Sequence, residues 1–345
     1  MHFYIFILIV LFLLAVIDLK TISASAKMKF SIAMIFMVMA FKAPVYGDYS
    51  RYADNFILSA YRTIKEMAAY KGEIGFHMLT KAITYITDNP SVYLAITSAL
   101  ICICLGIYIN RFGSSKVYAV YFYYTIGLFA FSMAGLRQVL AMSICLFAYE
   151  AIRKKKLLRF VLIVGIAFLF HKTAIIFLPA YPIARFRWKL NNIVAALAGI
   201  GLFSVFFTRF YSFIVAWLGY EDYAIRSSGN GEIFTIILVL IGVLGYIYKD
   251  QLLRMDSSNI MFLNLHLAVI ILWLIRFFIS SAERPSFYYL YTTIILLDKI
   301  FSLEFEEDSK ARTNKFILIS ALTLFGALFL YRLIRDINLL PYILV

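Results

Sequence analysis

The sequence predicts an all-α, polytopic integral membrane protein with about 10–12 transmembrane helices, a polar outer loop and an interfacial helix. Three observations carry that expectation. Hydrophobic residues make up 63% of the 345 and charged residues 15%, against roughly 45–50% and 25% in soluble domains. Mean hydropathy is +0.87. The apolar residues also fall in runs close to the ~20 residues that cross a bilayer. A soluble domain must keep its exterior wetted, so soluble enzymes and secreted disulfide scaffolds are all but excluded. The chain has 33 basic and 19 acidic residues, net +14. Cytoplasmic loops rich in Lys and Arg, attracted by anionic leaflets, account for that excess. The bilayer is therefore the expected partner, and no nucleic acid is expected.

The runs follow in order. Residues 2–19 read as a retained first span, because no basic stretch precedes them and Ser23-Ala24-Ser25-Ala26 is a poor cleavage signal. The second run is 30–46. A polar stretch follows over 47–75, carrying Asp48, Arg51, Asp54, Arg62, Lys65, Glu66, Lys71 and Glu73. Over 76–88, His77, Lys81, Thr84 and Asp88 recur at helical steps opposite Phe76, Leu79, Ile83 and Ile86. That segment is too short and polar to span, and is predicted to lie in the interface. Residues 47–90 thus form an outer loop with an interfacial helix.

Further runs cover 91–109, 117–133 and 136–152. The basic cluster at 153–159 is the strongest vote for the cytoplasm. Residues 160–183 are interrupted by His171-Lys172-Thr173. They read as two short helices meeting at His171, since polar backbone at membrane depth is tolerated where it lines a cavity. This returns Arg185, Arg187 and Lys189 to the cytoplasmic side. Runs at 191–208, 233–249, 259–280, 286–300 and 315–333 complete one polytopic domain, with a second outer loop at 209–232 and both termini outside. Cys102, Cys104 and Cys145 lie in apolar runs and read as packing residues.

No phosphate-binding G-x-x-x-x-G-K-[ST], H-E-x-x-H or G-x-S-x-G motif occurs, and the four histidines are far apart in sequence. No cofactor or metal is expected. The acidic run Glu304, Glu306, Glu307, Asp308 reads as a solvated face. More informative are ionisable residues in or beside apolar runs: Arg137, His171, Arg276, Glu283 and Arg284. Each is costly at membrane depth, although anchoring, snorkelling, local pairing or packing would also explain one alone. In the deduced topology Arg137, His171, Arg276 and Arg284 approach the same outer side as Asp48, Asp54 and Glu73. Several cations there suit an anionic lipid, of which a lipid-linked pyrophosphate is the natural case. A carboxylate or imidazole would take the proton of an acceptor hydroxyl. Tyr46, Tyr49, Tyr52, Tyr61 and Tyr70 cluster around the first outer stretch, as an aromatic belt or as sugar-stacking residues.

At these residues the sequence resembles the EpsG family of Wzy-like bacterial polysaccharide polymerases. The resemblance rests on Asp48-Tyr49-Ser50-Arg51-Tyr52, Glu73-Ile74-Gly75-Phe76, Leu136-Arg137-Gln138-Val139-Leu140-Ala141 and Phe170-His171-Lys172-Thr173-Ala174, in that order, with Arg284 before a Tyr-rich run. It implies a cytoplasmic-membrane glycosyltransferase with its active site facing outward. Its substrate would be an undecaprenyl-pyrophosphate-linked oligosaccharide, and its product O-antigen, capsule or exopolysaccharide. It implies no metal, and leaves room for a chain-length regulator as partner. The expected roles are pyrophosphate binding by Arg137 and Arg284, helped by Arg276, with His171 as base and Glu73 or Asp48 as alternatives. Gln138, Arg51 and Tyr52 would contact substrate. A transporter or flippase for lipid-linked sugars and a membrane O-acyltransferase stay open beside it.

Overall fold

The computed structural model describes residues 1–17, 21–71, 73–186, 231–277, 283–305 and 307–344. The expected run at 191–208, nearly all of the second outer loop and the end of the run at 259–280 lie outside the described residues. The architecture is all-α, and among the described residues the one extended pairing is an isolated bridge, Lys42 with Leu344.

Helix α1 is His2–Val16 and α2 is Ala24–Ala40, where the Ser23 side chain accepts the Ala26 N–H and caps the start. The polar stretch that follows is itself helical: α3 Gly47–Tyr61, α4 Ile64–Lys71 and α5 Ile74–Thr84. Its charges alone suggest a loop. Instead, α3 buries Tyr49, Ala53 and Phe56 at steps of four and three, and α5 buries Phe76, Thr80 and Ile83 likewise. That period gives each helix one apolar face to lay on its neighbours. The expected interfacial helix is α5, packed on α3, α4 and the later α11.

Helix α6, Pro90–Phe112, starts on an Asn89 cap with proline in its first turn. The run 117–133 is split into α7 (Val117–Thr125) and α8 (Leu128–Ser132) at Gly127, whose φ of +117° suits glycine alone. The run 136–152 is split into α9 (Leu136–Cys145) and α10 (Ala148–Arg153). Then α11, Leu157–Phe170, ends at His171, whose backbone is extended, and a 3₁₀ turn over Lys172–Phe177 leads to α12, Ala180–Ala184. The break expected at His171 is therefore present.

After the undescribed segment, α13 (Glu232–Ile247) bends by 65° into α14 (Lys249–Met255). The remaining helices are α15 (Ile260–Ile275), α16 (Glu283–Phe301) and α17 (Asp308–Leu333). Among the described residues three helices are individually long and apolar enough to cross a membrane: Pro90–Phe112, Ser257–Ile275 and Asp308–Leu333, or four if the bent pair is one span. Around them stand the shorter apolar helices His2–Val16 and Leu157–Phe170 and the segment Lys172–Ala184.

Helix α16 is the axis of the bundle. Every residue from Ser286 to Phe301 is buried. It packs on α15, α7 and the 3₁₀ turn. Tyrosines tie the helices together: the Tyr108 hydroxyl donates to the Tyr291 carbonyl at 3.2 Å, Tyr289 to Ile176 at 2.7 Å and Tyr121 to Leu322 at 2.6 Å. An unpaired buried hydroxyl would cost about 1–3 kcal/mol. These three tyrosines are core crosslinks. The C-terminal segment runs back over the α2–α3 link. Lys42 is buried and its ammonium donates to the carbonyls of Asn338 and Leu339, while Asn338 Oδ1 accepts the Asp48 N–H at 2.9 Å.

Candidate functional site

Four helix ends meet at one place: the start of α5, the start of α9, the end of α11 and the start of α16. Each end releases a polar side chain from an otherwise apolar helix. Glu73 precedes α5 and is 1% exposed. Its Oε2 accepts from Arg137 Nη1 at 2.7 Å, and its Oε1 lies 2.6 Å from His171 Nδ1. The Lys172 backbone N–H also faces this carboxylate. Arg137 comes from the first turn of α9, and His171 from the break after α11.

Gly75 allows this convergence. A Cβ there would sit 3.0 Å from Leu169 Cβ and from Phe170 Cδ2, and 3.1 Å from the Leu169 carbonyl carbon. Only a glycine lets α5 approach the end of α11 so closely. The extended backbone of His171 then turns the imidazole toward Glu73 instead of continuing the helix.

Burial by itself would raise the Glu73 carboxyl. The hydrogen bond from His171 and the charges of His171 and Arg137 outweigh it and hold the group down to about 2. Glu73 is therefore an ionised clamp and a poor proton acceptor near neutral pH. An ionised carboxylate only accepts hydrogen bonds, so His171 Nδ1 carries a proton toward it, and in the neutral imidazole the lone pair lies on Nε2. This is the carboxylate–histidine arrangement that fixes tautomer and ring orientation in acid–base sites.

The other expected residues fall around this cluster. Gln138 Nε2 donates to the Arg284 carbonyl at 2.8 Å, linking α9 to the first turn of α16. Arg284 is exposed, and its charge acts on His171. The Tyr52 ring meets Phe76 edge-on at 6.5 Å, and its hydroxyl faces Arg137. The Phe76 ring also lies 5.9 Å from the Arg137 guanidinium. Glu73, Arg137, His171, Gln138, Arg284 and Tyr52 are thus brought together. Asp48, half-buried, and Arg51, exposed, instead form an i, i+3 pair with each other at 3.5 Å. Arg276 bonds to Glu283 Oε2 through Nε at 2.8 Å, on the other side of the first turn of α16.

Sequence reasoning missed two neighbours. Thr173 Oγ1 and the Tyr288 hydroxyl are 3.1 Å apart, closing the cluster toward the bundle axis. His77, placed above on the polar side of the interfacial segment, has a buried Nε2 without a hydrogen-bond partner, and the charges of Arg137 and Glu73 act on it. Its i+4 spacing from Glu73 was the available signal. Among the described residues no three His, Cys, Asp or Glu side chains form a metal-binding group.

Comparison with curated proteins and with solved structures finds no match. A family model does match: that of the EpsG family, over residues 26–344. This span contains every helix end that builds the cluster, and nearly the whole chain. The chain belongs to the EpsG family and is a membrane protein of polysaccharide biosynthesis.

Proposed function

We propose that this protein is a glycosyltransferase that polymerises undecaprenyl-pyrophosphate-linked oligosaccharide repeats on the outer face of the cytoplasmic membrane. The observation that carries the reading is Glu73 gripping Arg137 and His171 at once, with Arg284 beside them. In the reaction an acceptor hydroxyl attacks the anomeric carbon of the donor sugar. The bond from that carbon to the pyrophosphate oxygen breaks, and the pyrophosphate lipid leaves with the electron pair. Arg137 and Arg284 bind the leaving pyrophosphate through their planar forks and stabilise the charge that develops on it. His171 Nε2 takes the proton of the acceptor hydroxyl. Glu73 holds the imidazole in the tautomer that can do so. Gln138 and Tyr52 shape the rim where sugar would sit, and Asp48 and Arg51 lie farther out. The leaving group supplies the driving force, so neither nucleotide nor metal is consumed.

The test is reconstitution of the purified protein with a lipid-linked repeat unit in chelator, without nucleotide. A ladder of products is expected, and Arg137→Ala should abolish it while the protein still accumulates in the membrane. Normal long-chain polymer from Arg137→Ala would overturn the assignment. Movement of the lipid between leaflets without a new glycosidic bond would favour a transporter.

A further inference from the structure

Two unbroken helices run to the Glu73 cluster from the basic end of the bundle. Helix α11 starts after Lys154, Lys155 and Lys156, and its 14 residues lead to His171, a rise of about 21 Å. Helix α16 rises about 22 Å from Lys299 to Arg284. The charges of Arg153 and Asp256 act on Lys299, so the two helices leave from one level. A bilayer's hydrocarbon core is about 30 Å thick. With the basic end at one face of that core, the cluster stops about 8 Å short of the other. It is recessed within the leaflet.

One wall beside the recessed cluster is apolar on its outside. On α5, Ile74, Met78 and Ala82 recur at steps of four, and Tyr85 and Ile86 continue the line past the helix end. That spacing keeps them on one face, and all five are exposed, Met78 by 53% and Ile86 by 74%. The polar side chains of α5 are turned aside. The Lys81 ammonium donates to the carbonyls of Ser59 and Ala60 at 3.1 and 2.9 Å, and His77 is half-buried. A helix lying in water would show the reverse. The apolar line continues onto α11, where Leu162, Ile166 and Leu169 are exposed at steps of four and three. Gly75 brings the two helices together at Leu169. The first half of α3 differs, since it exposes Arg51, Asp54 and Asn55. Polar α3 is the wall suited to water, and α5 with α11 is the wall suited to lipid.

We propose that the exposed apolar face shared by α5 and the end of α11 is the docking surface for the polyprenyl chain of the lipid-linked substrate. The lipid reaches the cluster sideways, from within the leaflet. The inference rests on the polymerase reading for the identity of that chain. Position singles this face out from other lipid-facing surface. Ile74 follows Glu73 in sequence, and Leu169 stands two residues before His171. A pyrophosphate held by Arg137 leaves the first isoprene units of its chain beside Ile74 and Leu169, on the strip that runs on to Met78. An anionic head and an apolar tail thus meet a guanidinium and an apolar strip in the same order. The recess gives the strip its purpose. A pyrophosphate drawn below the interface loses hydration, and apolar contact along the strip offsets that cost.

The experiment places the photo-crosslinker benzoylphenylalanine at Met78 or Ile166, and at Asp54 as a control on the polar wall, in the full chain in lipid nanodiscs. Radiolabelled undecaprenyl pyrophosphate should be captured at Met78 and Ile166 and not at Asp54. Unlabelled undecaprenyl pyrophosphate should displace it, and the same amount of phosphatidylglycerol should not. In turnover, Met78→Gln should raise KM for an undecaprenyl-linked donor about tenfold with kcat kept, the size of one half-buried methionine. A donor on a short, water-soluble isoprenoid chain should not sense the change. Met78→Leu should recover the wild-type KM. A variant that merely unfolds loses kcat with both donors, so the split separates chain binding from folding. Capture at Met78 that phosphatidylglycerol displaces equally well would make the face ordinary lipid contact and overturn the proposal. So would equal capture at Asp54, or an unchanged KM for the long donor in Met78→Gln. Selective capture at Met78 in a protein that makes no polymer would keep the surface and reject the polymerase reading. Polymer made without capture at Met78 or Ile166 would do the reverse.

Discussion

Replacing Glu73 by glutamine tests the centre of the site. The side chain keeps its size, so the change is electronic. The folded carboxyl sits at about 2 against its ordinary 4.5, a difference worth on the order of 3 kcal/mol at neutral pH. Glutamine forfeits that. It leaves Arg137, whose side chain is 24% exposed, without its carboxylate at 2.7 Å. It also breaks the grip on His171. The amide has one oxygen and cannot accept strongly from both partners. If its NH₂ faces His171, Nδ1 must accept and the imidazole proton moves to Nε2, which removes the basic lone pair from the reacting side. The comparable loss in a carboxylate–histidine pair costs about 10⁴ in turnover. Glu73→Gln should therefore lower the unfolding midpoint and reduce polymer formation by about 10³–10⁴, while lipid binding falls far less. Glu73→Asp keeps the charge and should recover part of the rate. The assays are polymer ladders against time from reconstituted protein and thermal unfolding in detergent. Wild-type turnover in a folded Glu73→Gln protein would refute the tautomer argument. The pH dependence has a fixed sign. A depressed carboxyl contributes its full stability above pH about 4.5 and loses it as pH falls through about 2. The difference in unfolding midpoint between wild type and Glu73→Gln should hold from pH 8 to 5 and shrink only in stronger acid. A difference that vanishes by about pH 6 would contradict the clamp.

Three further outcomes follow from the same contacts. Gly75→Ala places a methyl 3.0 Å from Leu169 and Phe170, so it should destabilise by about 1–3 kcal/mol and slow turnover by loosening the Glu73–His171 contact. Unchanged melting and turnover would show that α5 is not held by close approach. His171→Ala should cost about 10²–10⁴ in rate with lipid affinity largely kept, as read by single-turnover kinetics beside lipid binding. Loss of binding alone would remove the histidine from the proton-transfer role. Lys42→Met leaves the carbonyls of Asn338 and Leu339 without their donor, and should free the C-terminal segment, seen as faster proteolysis within residues 335–344. Equal protection would mean that the segment is held by its apolar contacts.

The membrane class and the all-α architecture were fixed by composition, because no fold can wet a chain that is 63% hydrophobic. The break at His171 was legible too: a polar triplet inside an apolar run has nowhere else to put its backbone. The residue types of the site were also legible, since a charge in an apolar run stands out one residue at a time. Their grouping was not. Glu73 and His171 are 98 residues apart, and nothing local says that glycine at 75 lets their helices touch. Asp48 and Glu73 look alike as outer carboxylates; the meeting with Arg137 and His171 makes one a clamp, and the other is left paired to an exposed Arg51. Arg276 and Arg284 likewise look like one cationic set, and a single helical turn sends them to different neighbours. The split of 47–75 into packed helices was hidden because charge masks a 3.6-residue apolar period. That the hydroxyls of Tyr108, Tyr121 and Tyr289 would land on carbonyls of other elements was not legible either. Sequence determined which chemistry is present and in which solvent; tertiary structure decided which groups meet, because distances between helix ends depend on packing of residues far apart in the chain.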